Sequence, residues 1–484
     1  MKLTVLLAAV GVAAAASTAC AAPAALPKTP TKDLKPATKH QLAVVRGGGA
    51  AVATKPTAAP IQVSKPTAYL TVGWLGVIGG ALCHLALGTT YCWGNFSPYT
   101  PPHLRYFGGK PATPGAQPDT LWVLPGAFVA QTLTMPIGPW LQTKLGCRGA
   151  TLVGCWLMAA GVLLSSYAKS LAAFMFCYSF MFGAGVGIAY TAPMVNGWRW
   201  FPGKKGLVSG CVVAGFGAGG FIFNQVGSRI INPSGISAVD GVYPAAIYAA
   251  FPVMLRKLAL IYFTLTGLGA LLVNPPPPVV TAVGAPATAP PLGTSLRDAV
   301  RSRAFWSLWL MALLVGTAGI NVAGTYKAFG ARLHADDQFQ SLVGSVAALA
   351  NGTGRLFWGN MLDAAGFNRP FAALVTLQAA TMAAYTTLAR SRAGFAAATC
   401  AILFCLGGNF AMFPAVTTKI FGVRHGALIY GVLFSAFSIA SVSGTFITKA
   451  LVANFGWDGV FKTMSVLSVL VLAVLSTFTA SFAA

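Results

Sequence analysis

Twelve stretches of this chain are long enough and apolar enough to cross a lipid bilayer as helices: 72–96, 121–142, 149–168, 171–198, 206–226, 254–273, 304–328, 340–362, 370–389, 393–418, 427–448 and 459–481. A hydrocarbon core of about 30 Å needs about 20 apolar residues in helical form. In that core every backbone polar group must bond inside the protein, which leaves helices or closed barrels as spanning structures. Runs of this length are helices, and the expected fold is an all-α membrane protein of twelve transmembrane helices. Charge agrees with this: 8% of residues are charged, against roughly a quarter in a soluble domain. A water-soluble enzyme or nucleic-acid binder is therefore excluded. The net charge is +24, and every acidic residue is Asp. Because the basic residues lie between apolar runs, their natural partner is the anionic surface of a lipid bilayer and no nucleic acid.

The runs fall six and six about residues 274–303, which open with Asn274 and four prolines and end in Arg297, Arg301 and Arg303. A proline run cannot continue a helix. The expected organisation is a six-helix bundle over 71–273, a central Pro-rich and basic loop over 274–303, and a second six-helix bundle over 304–484. Two halves of this kind place a binding site at the midplane between them. A weak internal repeat supports the division. Residues 206–210 resemble 427–431, and a loop marked by Gly359, Asp363 and Gly366 after the eighth run has a degraded copy after the second, with Lys144, Gly146 and Arg148. These six residues are candidates for a gating loop.

Residues 1–70 stand apart as a basic tail. An apolar run at 3–16 resembles the core of a signal peptide, and the Ala-, Pro-, Thr- and Lys-rich stretch after it cannot bury a core and is expected to be disordered. The tail is either a targeting segment or a cytosolic extension, so the membrane is the plasma membrane or that of an organelle. Eleven basic residues fall on each side of the membrane, and the seven between Lys28 and Lys65 in the tail tip the balance toward an inside N-terminus. The nine cysteines are scattered, mostly in apolar runs, with no CxxC and no Cys/His spacing for a metal. They read as packing residues, and no metal, cofactor or catalytic pair is expected.

One polar residue dominates the candidate site. Arg355 is the lone cation deep inside a run, eight residues before Asp363, or about 12 Å along a helix. Placing Arg there costs at least ~2.5–3.5 kcal/mol, and its planar fork suits a carboxylate. Asn351, Gly352 and Gly359 flank it at helical spacing. His84 lies mid-run, sharing a face with Gly80, Gly88 and Tyr91. Tyr91, Trp93 and Tyr326 lie toward run ends, as gates or as interface aromatics. Tyr190, Asn321 and Asn409 are polar positions in apolar surroundings. Lys327, at a run's end, reads as a side chain snorkelling to the head groups. All eight acids lie in the tail, in loops or at run ends, Asp336 and Asp337 among them. That disfavours sodium coupling and a carboxylate proton relay. Gly215 and Gly219 form a GxxxG packing pair, and Asp458 and Lys462 a structural i,i+4 pair.

Several motifs then resemble one family: Gly88-Thr-Thr-Tyr91-Cys-Trp93; Pro136-Ile-Gly138-Pro139; Trp200-Phe201-Pro202-Gly203-Lys204-Lys205-Gly206-Leu207; Ala214-Gly215-Phe216-Gly217; Phe305-Trp306-Ser-Leu308-Trp309-Leu310; Asn351-Gly352-Thr-Gly354-Arg355; and Phe413-Pro414-Ala415. Over about 70–482 the chain resembles the major facilitator superfamily, and within it the oxalate:formate antiporter and monocarboxylate porter branch. The resemblance implies alternating-access transport of small carboxylates, with Arg355 as the substrate-binding cation. Two departures are visible. The lysine that oxalate-type members carry in the eleventh span is missing, its place falling near Phe437, and the Asp that proton-coupled porters carry four residues before the arginine is Asn351. The expectation is a monomeric transporter of small organic anions, monocarboxylates in particular. The alternatives are a carrier of neutral or zwitterionic solutes and a non-transporting receptor or scaffold on the same fold.

Overall fold

The computed structural model describes residues 67–112, 116–201, 205–239, 242–276, 293–334 and 336–478. The proposed targeting tail before residue 67 and most of the central loop lie outside the described residues. Within them the chain is helical, with an isolated bridge between Val239 and Val242 as the only extended pairing.

The main helices are α1 (Thr67–Leu87), α2 (Val123–Thr134), α3 (Ile137–Ser165), α4 (Phe182–Ala189), α5 (Lys205–Ile231), α6 (Ala245–Leu272), α7 (Arg303–Gly330), α8 (Asp337–Ala365), α9 (Asn368–Leu388), α10 (Arg392–Phe421) and α11 (Ser435–Ser476). Short pieces lengthen several of them. Gly88–Cys92 and Trp93–Phe96 prolong α1, a π-helical stretch Met175–Met181 leads into α4, and Val423–Leu433 leads into α11. Nine segments among the described residues meet the length and apolarity of a membrane span, and one of them, Leu428–Ser476, is 49 residues long. That segment is two rods, because Gly456 breaks α11 with φ of 63°. The second predicted run is divided as well: α2 ends at Thr134, and α3 starts after Pro136. With α8 counted despite its polar residues, and with α3 broken at Gly146 so that its first turns complete the second run begun by α2, the rods follow the twelve runs.

Helix starts and stops have local chemical causes. Ser302, Asp336 and Ser391 accept hydrogen bonds from the backbone N–H groups of Phe305, Phe339 and Gly394, capping α7, α8 and α10. Gly146 and Gly366, at the two loops matched in the sequence, have φ of 70° and 74°. Nothing lies within 4 Å of where a Cβ would sit on either, so backbone conformation and not space demands glycine there. The sixth rod starts at Ala245, nine residues before its predicted start at 254, because Pro252 is accommodated inside the helix.

Helix packing rests on small residues. A Cβ on Gly215 or Gly219 would strike the carbonyl oxygens of Ala81 or Leu85, so the GxxxG pair seats α5 against α1. The first six rods meet the last six along two seams, α5 with α8 and α2 with α11. On the first seam the backbones nearly touch: a Cβ on Gly217 would lie 2.5 Å from Cα of Gly352.

One expectation fails outright. Lys327 does not snorkel to the surface. It is 1% exposed and forms an ion pair of 2.8 Å with Asp337, itself 3% exposed. The loop between α7 and α8 is short enough to fold Asp337 back onto the last turn of α7. A carboxylate at a run's end is therefore buried here, contrary to its reading as a loop residue. The Asp458–Lys462 pair forms at 2.7 Å, as expected.

Candidate functional site

Arg355 sits on the α8 face that packs toward the first six rods. Its side chain is buried, with 6% of the residue exposed. Nε donates to Oδ1 of Asn351 at 3.2 Å, one helical turn earlier, and one terminal nitrogen donates to the Tyr190 hydroxyl at 3.3 Å. Asn351 is fixed in turn, its amide donating to the carbonyl of Leu403 at 3.0 Å. The guanidinium carbon lies 4.9 Å from the ring centre of Phe216 and 5.3 Å from that of Phe410. Flat aromatic faces carry negative charge density and attract a cation. They offer no formal charge, however, and none of the ion pairs among the described residues includes Arg355. The result is a permanent cation, buried, held by neutral groups and left without a carboxylate.

The walls of this site come from both sides of the molecule. Tyr190 and Phe216 belong to the first six rods, Phe410 to the last six. Tyr91 joins them, its ring 5.7 Å from Phe216 and 6.4 Å from Phe410. His84 stacks obliquely against Tyr190 at 5.4 Å and Phe216 at 6.3 Å. Its Nδ1 is 3.0 Å from the carbonyl of Gly80. A carbonyl can only accept, so Nδ1 carries the proton, and in the neutral ring Nε2 is left as an acceptor. Nε2 is buried and has no partner within the protein.

Five predicted residues are thus gathered around one point: Arg355, Asn351, Tyr190, Tyr91 and His84. No hydrogen bond or ring contact joins the other four to Arg355. Trp93 donates to the carbonyl of Thr120 at 3.1 Å and packs on Tyr178. Tyr326 is buried, its hydroxyl over Gly344. Asn321 donates to the carbonyl of Gly444 at 3.0 Å and to the Thr448 hydroxyl at 2.6 Å. It borders a cavity of about 20 Å³ lined by Trp93, Leu121 and Leu124 as well as by Thr325, Ser441 and Thr445, room for roughly one water molecule. Asn409 is buried, and neither end of its amide finds a partner. The loop candidates lie at helix ends. Asp363 pairs with Lys419 at 2.8 Å, and Arg148 donates to the carbonyl of Val273 at 3.2 Å and to Asn274.

Two wall residues, Phe216 and Phe410, escaped the sequence reading. The glycines on both sides of Phe216 were its available signal, since they free the ring to turn inward. At the place where a second cation would stand, Phe437 is fully buried, 4.9 Å from Phe410 and 5.6 Å from Phe413.

Comparison with known proteins bears on this site. Residues 316–481 match the model of the Major Facilitator Superfamily. The chain is 30% identical to a protein named apicoplast pyruvate carrier 1, from Toxoplasma gondii, across 82% of this chain and 87% of that protein. It is 28% identical to the oxalate:formate antiporter of Oxalobacter formigenes, across 72% and 79%. A shorter similarity, 29% identity over 24% of this chain and 23% of the relative, links it to monocarboxylate transporter 9 of Rattus norvegicus.

Proposed function

The chain belongs to the major facilitator superfamily, and from that premise we propose that it carries small monocarboxylate anions across a membrane by alternating access, with Arg355 as the cation that receives the carboxylate. One observation carries the reading: Arg355 is buried between the two sets of six rods and has no counter-ion among the described residues. A buried charge without a partner is strongly unfavourable. An anionic substrate is the partner that relieves it, with a two-point fork matching a planar carboxylate. Asn351 and Tyr190 engage only two of the guanidinium's five N–H groups and so orient it without neutralising it. Tyr91, Phe216 and Phe410 supply an apolar enclosure suited to a short carbon chain, and Nε2 of His84 offers one polar contact beyond the carboxylate.

A single cation also sets an upper limit on substrate charge. With Phe437 in the place of a second cation, a dicarboxylate would bury one carboxylate unpaired. A buried cation disfavours the alternatives: a neutral solute would leave Arg355 uncompensated, and a zwitterion would pair with it but bury its own cationic group without a counter-ion among the described residues. We place the monomeric carrier in an organelle membrane, on the strength of the relative named for an organelle; a fluorescent fusion of residues 1–70 that stays diffuse in the cytosol would count against this.

The test is uptake by the full chain in proteoliposomes, with formate, acetate, lactate, pyruvate and oxalate, with and without a pH gradient. Saturable uptake of one or more monocarboxylates, with oxalate the poorer competitor, is the expected result. Oxalate competing best would overturn the one-cation site. Uptake of none of them, with a neutral solute transported instead, would overturn the anion reading.

A further inference from the structure

We propose that Lys327, Asp337 and the neutral groups that grip them form the gate closing one end of the transport path. Lys327 lies in the last turn of α7 and Asp337 in the first turn of α8. The groups that meet them come from the ends of the first six rods on the same side: Asn95 and Tyr99 beyond α1, Asn232 at the end of α5, and Tyr243 just before α6, with Ser228 of α5 bracing Asn95.

The hydrogen bonding is dense. Nζ of Lys327 is 2.8 Å from Asp337, and it donates to Oδ1 of Asn95 at 2.9 Å and to the Tyr99 hydroxyl at 2.8 Å. Asp337 accepts from the hydroxyls of Tyr99 and Tyr243, each at 2.6 Å, and from the amide of Asn232 at 2.8 Å. Ser341, one turn along α8, accepts from Ser228 at 2.9 Å and donates to Asn95 at 3.1 Å.

Division of the charges across the seam points to a gate and not a fixed strut. Both charged groups belong to the last six rods, and every group that contacts them from the first six is neutral. Parting the two sets of rods therefore leaves the Lys327–Asp337 pair whole, and the ion pair it does separate at this end, Lys449 with Asp119, is partly exposed. It exchanges phenol and amide hydrogen bonds for bonds to water, an exchange that is nearly balanced. Closing does the reverse, and only because the cradle meets the lone pairs and protons of the pair can it be buried.

The links between the two sets of rods are also unevenly placed among the described residues. Among the described residues, hydrogen bonds and ion pairs between the first six and last six rods lie at this end or near mid-depth. At this end the further links are Gln225 with Ser341 and Ser345, and Lys449 with Asp119. Near mid-depth are Arg355 with Tyr190, and Ser438 with Thr132 and the carbonyl of Phe128. Among the described residues the gate end therefore carries most of these links.

The proposal rests on the transporter reading but not on which anion Arg355 accepts, so its test uses no substrate. A cysteine is introduced at Ala323, buried on α7 one turn before Lys327, in the full chain in proteoliposomes. Its reaction with a membrane-impermeant maleimide is timed, with the protein lacking the added cysteine as background. Asp337→Asn, which strands the Lys327 charge, should raise the labelling rate at least about tenfold by shifting the population toward the open end. Tyr243→Phe, which removes one bond to Asp337 and little volume, should raise it about two- to fivefold. The neutral double variant Lys327→Gln with Asp337→Asn should label more slowly than Asp337→Asn alone. Unchanged labelling in Tyr243→Phe and in a folded Asp337→Asn protein would overturn the gate, and so would a double variant that labels as fast as the single. Should Asp337→Asn fail to fold, Tyr243→Phe decides.

Discussion

Arg355 and Lys327 are both cations removed from water, and the molecule treats them in opposite ways. Lys327 has a carboxylate at 2.8 Å and further donations to an amide and a phenol. Arg355 has an amide, a phenol and two aromatic faces, but no carboxylate among the described residues. The chain thus supplies a counter-ion where a charge is to stay sealed and withholds one where a charge has to exchange partners. Similar burial hides a different electrostatic state, and the state, not the burial, is what singles out the proposed binding site.

That comparison can be broken most decisively at Arg355. Replacement by Gln should cut monocarboxylate uptake by at least about 100-fold, since a charge-assisted fork to a carboxylate is lost, while thermal stability in detergent stays level or rises. A fall in stability with uptake retained would mean that Arg355 is structural. At the other cation the pattern reverses: Asp337→Asn should lower unfolding stability by ~3–5 kcal/mol, because one partner of a buried pair is removed. A sharper variant gives Arg355 what Lys327 has. Asn351→Asp should weaken monocarboxylate binding by at least about tenfold near neutral pH, because the new carboxylate competes for the fork. Uptake by that variant should recover as pH falls and the new carboxylate is protonated; flat pH dependence in uptake assays would contradict this. A smaller effect belongs to Tyr190→Phe, which removes one hydrogen bond to Arg355 and should raise KM about two- to tenfold with kcat little changed. The smallest is Lys449→Ala. Its pair with Asp119 is about a quarter exposed, so the change in unfolding stability should be at most ~1 kcal/mol and should vanish in high salt.

Arg355 was legible in the sequence because nothing else basic interrupts its run, and an isolated charge in twenty apolar residues has few explanations. Asn351 and Tyr190 were legible for the same reason, as polar exceptions. Lys327 was not, because a lysine at the end of a run has an inexpensive route to water, and only the tertiary fold shows that the route is blocked. Its partner Asp337 lies just beyond the loop, where sequence alone marks it as solvated. The aromatic walls were hidden by abundance: in a chain with 31 Phe, Phe216 and Phe410 look like lipid-facing or packing residues. Boundaries failed where proline sat inside a rod, at Pro252, or split one, at Pro136. The apolar periodicity of membrane helices gives the number of rods more firmly than their ends.

The near contact of Gly217 and Gly352 has a mechanical meaning. Asp337, Gly352 and Arg355 all lie on α8, and α8 is a continuous helix from Asp337 to Ala365. At about 1.5 Å per residue, the gate is about 22 Å from Gly352 and Arg355 only about 5 Å from it on the other side. With backbones this close, Gly352 is a fulcrum set near one end of a beam. A tilt that swings the gate end by about 5 Å moves Arg355 by about 1 Å, the ratio of the two arms. The cation can thus keep hold of its ligand while the distant end opens, and a side chain on Gly217 would jam the beam by prising the two helices apart.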